Sequence, residues 1–296
     1  MKRIIVAFAA VLLVMFNCAQ TRAGHHGDAE KAVKKGILLV AFGTSMPEAG
    51  RAFDNIERKV KAEFEDIDVR WAYTSHIIRE KLASRGEEVL SPEEALAWMM
   101  DQGYTHVAVQ SLHTIAGHEF HELLKNANAF EDMAGPIRKV TVGLPLLGTH
   151  KDIEAVSSAI LDFIPEKRKK DEAVVLMGHG TRHPANAFYT ALMFNLRQKD
   201  RNIFVGTVEG RPDIGEIQNM LEKRGLNKVY LMPFMSVAGD HASNDMAGDG
   251  ADSWKSVLTG AGMECVPVLK GTAEYDSIVS VWVNHLKTAV TNLEKE

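Results

Sequence analysis

"VVLMGHGTRH", residues 174–183, runs an apolar segment straight into a histidine held between two glycines. A short, continuous apolar run of this kind, bounded by glycine, reads as a β-strand buried on both faces. The strand ends by presenting an imidazole, His179, where the backbone carries almost no side-chain cover. A glycine on each side lets the chain turn sharply and lets a flat ligand come close to the backbone.

Working outward, the same kind of run recurs. "GILLVAF" (36–42), "DVRWAYT" (68–74), "HVAVQSL" (106–112) and "KVTVGL" (139–144) precede it, and "NIFVGTVE" (202–209), "KVYLMPF" (228–234) and "MECVPV" (263–268) follow. Stretches of helical period lie between them, such as "AGRAFDNIERKVKAEF" (49–64). Strands alternating with helices predict an α/β protein with parallel sheets. "IPEKRKKDE" (164–172), a proline followed by charge, reads as a solvated linker between a domain at 36–165 and another at 171–296.

The two halves echo each other. "ILLVAFGT" (37–44) aligns with "VVLMGHGT" (174–181), and "VAVQSLHTIAGHE" (107–119) with "VYLMPFMSVAGDH" (229–241). More loosely, "VRWAYTSH" lies on "FVGTVEGR", which sets Thr74 against Glu209. We read a duplication giving two similar Rossmann-like domains that face each other across a cleft. In parallel sheets the carboxyl ends of the strands open into the ligand crevice. There the second half carries His179, Glu209 and His241, where the first has Phe42, Thr74 and Glu119. A shared scaffold explains the glycines and the apolar runs, but not two histidines and a glutamate in one copy only. Two imidazoles and a carboxylate can ligate a borderline divalent metal with positions left open for exchange, and can accept protons near neutral pH.

Other chemistries find no support. "GHGTRH" lacks the third glycine of a dinucleotide fingerprint, and there is no G-x-x-x-x-G-K-[ST], G-x-S-x-G or H-E-x-x-H. No long run of like charge suggests nucleic acid as a partner. The first 23 residues have a basic start (Lys2, Arg3), an apolar run from Ile4 to Phe16 and Thr21-Arg22-Ala23 at the end, and read as a secretory signal peptide. The expected location is the periplasm, with no membrane association after cleavage. Loss of Lys2, Arg3 and Arg22 takes the formal net charge from −5 to about −8. Cys18 leaves with the same segment, and Cys265 remains as a lone thiol in an apolar strand, which reads as core.

"LLVAFGTS", "VQSLHTIAGHE", "VVLMGHGTRHPAN", "GTVEGRP" and "LMPFMSVAGDHASNDMAGD" together resemble the anaerobic sirohydrochlorin cobaltochelatases of cobalamin biosynthesis, within the single-chain chelatases. The resemblance runs from about Gly36 to the C-terminus. It implies a chelatase-like fold and a lyase that inserts Co²⁺, and possibly Fe²⁺, into sirohydrochlorin without ATP. The family's metal-binding and proton-handling residues fall on His179, Glu209 and His241. Sirohydrochlorin is a polycarboxylate, so a negatively charged chain must hold it by local contacts. Thr44, Ser45, His113, Arg182 and Arg211 are the candidates.

"HTIAGHEFHELL" (113–124) departs from the family pattern at His118 and His121, which share a helix face. These histidines are candidate ligands for a second metal or for haem at a subunit interface, in a homo-oligomer. Asp245, Asp249 and Asp252 could guide cations, but aspartate is also a common helix-start and turn residue, and that reading is preferred. The rival function is a periplasmic carrier of a tetrapyrrole, haem or metal that keeps the same fold.

Overall fold

Each expected strand forms. The computed structural model describes residues 32–295; the segment read as a signal peptide lies outside them. The chain runs β1 (Lys35–Ala41), α1 (Pro47–Glu63), β2 (Asp68–Tyr73), α2 (His76–Ala83), α3 (Pro92–Asp101), β3 (His106–Ser111), α4 (His118–Ala129), β4 (Lys139–Gly143) and α5 (His150–Phe163). It continues through β5 (Ala173–Gly178), α6 (Ala187–Lys199), β6 (Ile203–Thr207), α7 (Ile214–Glu222), β7 (Lys228–Pro233), α8 (Trp254–Gly260), β8 (Glu264–Pro267) and α9 (Asp276–Leu293). The runs of β1, β3, β5, β6 and β7 are buried on both faces, whereas those of β2, β4 and β8 are only partly covered. Among the described residues, no helix is long and apolar enough to cross a membrane.

The strands form two parallel sheets, ordered β2-β1-β3-β4 and β6-β5-β7-β8. The second order repeats the first, as a duplication requires. Every residue of β5 is buried, and in β1 alternate residues serve opposite faces. Ile37, Leu39 and Ala41 join a core that runs on into the second sheet. Leu38 and Val40 pack under α3 and α4 with Leu96, Met99 and Leu123. Each such side chain contributes about 1.5–3 kcal/mol when fully buried.

Strand register corrects the internal alignment by one residue. Ala41 pairs with Tyr73, and Gly178 pairs with Thr207. Laying β1 on β5 therefore sets Ser75, not Thr74, against Glu209. The backbone bonds agree: Ser75 N–H donates to Phe42 O and Glu209 N–H to His179 O. The side chains of β2 alternate in burial whereas those of β6 are all buried, so apolar matching alone could not fix the register.

Two features depart from a simple two-domain reading. First, α9 crosses back to pack on β3 and β4 of the first sheet. The Thr141 hydroxyl donates to Ala289 O at 2.9 Å. His285 of α9 bridges Leu144 O and Asp152 Oδ1, each at 3.0 Å. Second, the charged linker is not wholly solvated. The Arg168 side chain is only 5% exposed; it donates to Glu172 O and to the Asp200 carboxylate. From Val33 onward the described residues form one compact unit.

Candidate active site

The carboxyl ends of both sheets meet. The Phe42 ring, at the end of β1, lies 6.3 Å from the His179 ring at the end of β5. Thr44 approaches Gly239 closely enough that a Cβ on Gly239 would lie 3.6 Å from the Thr44 hydroxyl. His118 and His121 of α4 flank His183, with ring centroids 4.7 and 5.2 Å away.

The glycines around His179 serve the protein's own packing. A Cβ on Gly178 would lie 2.4 Å from the Tyr189 ring. Gly180 has φ +80, and a Cβ there would lie 2.7 Å from Gly210 N and 2.6 Å from Thr207 Cβ. The sharp turn expected from the sequence is present. The space over these backbone atoms is filled by Tyr189, Thr207 and Gly210 rather than left for a flat ligand. This packing draws the His179 loop onto the Glu209 loop. Asn186 fastens the two, accepting from Thr181 N–H at 3.1 Å and donating to Arg211 O at 2.7 Å.

His179 and His241 come together, with rings 4.9 Å apart and nearly perpendicular at 84°. Each is held by Nδ1. That of His179 donates to Gly180 O at 3.0 Å, and that of His241 contacts Asp245 Oδ2 at 2.5 Å. Both Nε2 atoms are without a hydrogen-bond partner among the described residues. Glu209 is exposed and does not complete a three-donor set. Among the described residues, no three His, Cys, Asp or Glu side chains are gathered as an ion would require.

The other expected residues fall differently. His113, past the end of β3, contacts Ser111 Oγ at 2.9 Å and Thr74 Oγ1 at 3.5 Å. Burial pushes its imidazole down to about 4, so it is neutral at pH 7. Thr44 is buried, and its hydroxyl accepts from Met46 N–H at 3.1 Å. Ser45 uses its carbonyl to accept from Arg85 at 2.6 Å. Arg211 is tied to Asp213 at 2.7 Å and Glu216 at 3.3 Å, the pair that caps α7. Arg182 is exposed. Of the two arginine candidates, Arg182 alone has no ion pair among the described residues. His121 donates Nδ1–H to Gly117 O at 2.8 Å, and crowding by burial and by His118 and His121 makes His183 harder to protonate than an ordinary histidine. Burial also pushes the free Cys265 thiol up; the residue is half-buried and packs against the core rather than within it.

Sequence reasoning passed over Asn186 and His183. Neither has a counterpart signal in the first half, and both act through contacts that only the folded loops bring together.

Two facing parallel sheets with histidines at the strand ends define an α/β protein of the chelatase class. SirB from Bacillus subtilis with Fe³⁺ shares the fold at a TM-score of 0.58 and 18% identity, covering 88% of this chain and 97% of that one. CbiX, the terminal enzyme for biosynthesis of sirohaem in denitrifying bacteria, does so at 0.53 and 16%, covering 86% and 99%. Residues 35–291 match the cobalt chelatase (CbiK) family, and the chain belongs to that family. It is 44% identical over 261 residues to the sirohydrochlorin cobaltochelatase CbiKC of Nitratidesulfovibrio vulgaris, covering 88% of this chain and 92% of that protein. It is 36% identical to the sirohydrochlorin cobaltochelatase of Salmonella typhimurium, covering 89% and 99%.

Proposed function

We propose that this protein inserts Co²⁺ into sirohydrochlorin without ATP, and that it also accepts Fe²⁺. The observation that carries the reading is the His179–His241 pair, with both Nδ1 atoms engaged and both Nε2 atoms left to meet a cation, in a chain of the cobalt chelatase family. Glu209 is the third donor. Exposed side chains rotate in picoseconds to nanoseconds, so the carboxylate can swing to the ion once it arrives. Borderline divalent ions suit imidazole and carboxylate together.

Insertion exchanges one cation for two pyrrole protons. While the metal is bound, the imidazole lone pairs are occupied. As the macrocycle nitrogens replace them, each freed Nε2 can take up one of the two displaced pyrrole protons. His179 and His241 are then first ligands and afterwards proton acceptors, with Glu209 balancing charge. Phe42, 43% exposed beside His179, offers an apolar face to a planar ring. Arg182 is the available cation for a substrate carboxylate.

Catalytic amounts of protein, sirohydrochlorin and Co²⁺, Fe²⁺ or Ni²⁺ in parallel, followed by absorbance, test this. Multiple turnovers lost in His179→Ala support the reading. A stoichiometric shift without turnover identifies a carrier, and normal turnover in His179→Ala removes the site.

The N-terminal Lys2, Arg3, apolar run and Thr21-Arg22-Ala23 support export to the periplasm in a cleaved form without membrane association. N-terminal sequencing of protein from the periplasmic fraction tests it. A second reading adds haem or a further metal at His121, favoured by its exposed ring with Nδ1 already bonded to Gly117 O. His118 stands one helical turn away. We place this site at a contact between copies in a homo-oligomer. A Soret band lost in His121→Ala, with a mass by light scattering above the monomer, supports it.

A further inference from the structure

We infer that Asp245 is a positioning residue: it fixes His241 as the Nδ1–H tautomer, so that the Nε2 lone pair faces the cation beside His179. The inference rests on the reading of His241 as a metal ligand. An ionised carboxylate only accepts hydrogen bonds, so the 2.5 Å contact from His241 Nδ1 to Asp245 Oδ2 places the ring proton on Nδ1. The unprotonated Nε2 is then the remaining donor, at a ring lying 4.9 Å from that of His179.

The backbone is built for this contact. His241 opens a short π-turn over Ala242–Met246, in which Ala247 N–H reaches back five residues to Ala242 O. Turns of this π type are rare. Asp245 belongs to the turn, whereas Asn244 turns aside and donates to Asp240 at 2.9 Å. The duplication adds an independent argument. The alignment that sets His241 on Glu119 sets Asp245 on Leu123, which is 2% exposed in the core. The imidazole and its carboxylate are thus present together in one copy and absent together from the other. His179 reaches the same tautomer by a backbone acceptor, Gly180 O.

The test compares Asp245→Ala, Asp245→Asn and His241→Ala in the full-length protein. The measurements are Co²⁺ affinity, chelation rate and the long-range ¹⁵N imidazole spectrum of His241. Loss of such an outer partner lowers metal affinity or activity by about 10–100-fold, and this is expected for Asp245→Ala with a spectrum shifted toward Nε2–H. Asparagine keeps an acceptor oxygen, so Asp245→Asn should restore the Nδ1–H spectrum and most of the rate. A purely structural role would lower thermal stability without moving the tautomer. Asp245→Ala with the Nδ1–H tautomer and wild-type affinity overturns the inference. If His241→Ala also keeps its rate, the site reading fails with it; if His241→Ala is inactive, only the role of Asp245 falls.

Discussion

Acidification should destabilise the fold through His113. Burial holds its imidazole at about 4 instead of the ordinary 6.5, so the folded protein keeps it neutral while the unfolded chain protonates it. Stability is highest above pH 6.5, falls as the pH drops from there toward 4, and levels off for this group below 4. Between pH 7.5 and 4.5 the two values correspond to about 2.5 kcal/mol. Other groups titrate in that window too, so the measurement is a difference. Urea unfolding of wild type and His113→Asn at both pH values isolates the contribution of His113. The variant should lose about 2.5 kcal/mol less than the wild type on acidification. Equal losses would mean that His113 is not held neutral in the fold, and the enclosed contact with Ser111 and Thr74 would be wrong.

Gly180→Ala should cost at least about 1–2 kcal/mol from the left-handed backbone alone, and its Cβ would push against Gly210 N; denaturant midpoint and chelation rate should fall together. Asp200→Ala leaves the buried Arg168 guanidinium without its carboxylate and should cost about 3–5 kcal/mol, read as a lower urea midpoint. His285→Ala removes two of the bonds that hold α9 in place, to Leu144 O beyond β4 and to Asp152 of α5; a loss of about 2 kcal/mol is expected, with faster hydrogen exchange in α9 than in β5.

The sheets were legible because their signal is local. Runs such as "GILLVA" (36–41) and "AVVLMG" (173–178) are buried on both faces, and burial of consecutive residues leaves its mark on consecutive letters. The internal echo carried the likeness of the two halves and singled out His179, Glu209 and His241, of which the two histidines meet. What the letters could not carry is contact between distant segments. The return of α9 to β3 and β4 depends on a face of α9 that would suit either sheet. Arg168 looks like one charge among several in a linker until Asp200 is folded against it. The one-residue shift from Thr74 to Ser75 follows from hydrogen-bond register, which side-chain chemistry does not encode here. Thr44 and Arg211 read as carboxylate binders by residue type; their local partners, Met46 N–H and the α7 cap, show only in the folded chain.

Cobalt K-edge absorption on protein loaded with one equivalent of Co²⁺ probes the two-imidazole centre directly. The wild type should show scattering from two imidazoles, falling to one in His179→Ala and to one in His241→Ala. An unchanged two-imidazole spectrum in both variants would contradict the assignment of His179 and His241 as the residues that hold the ion.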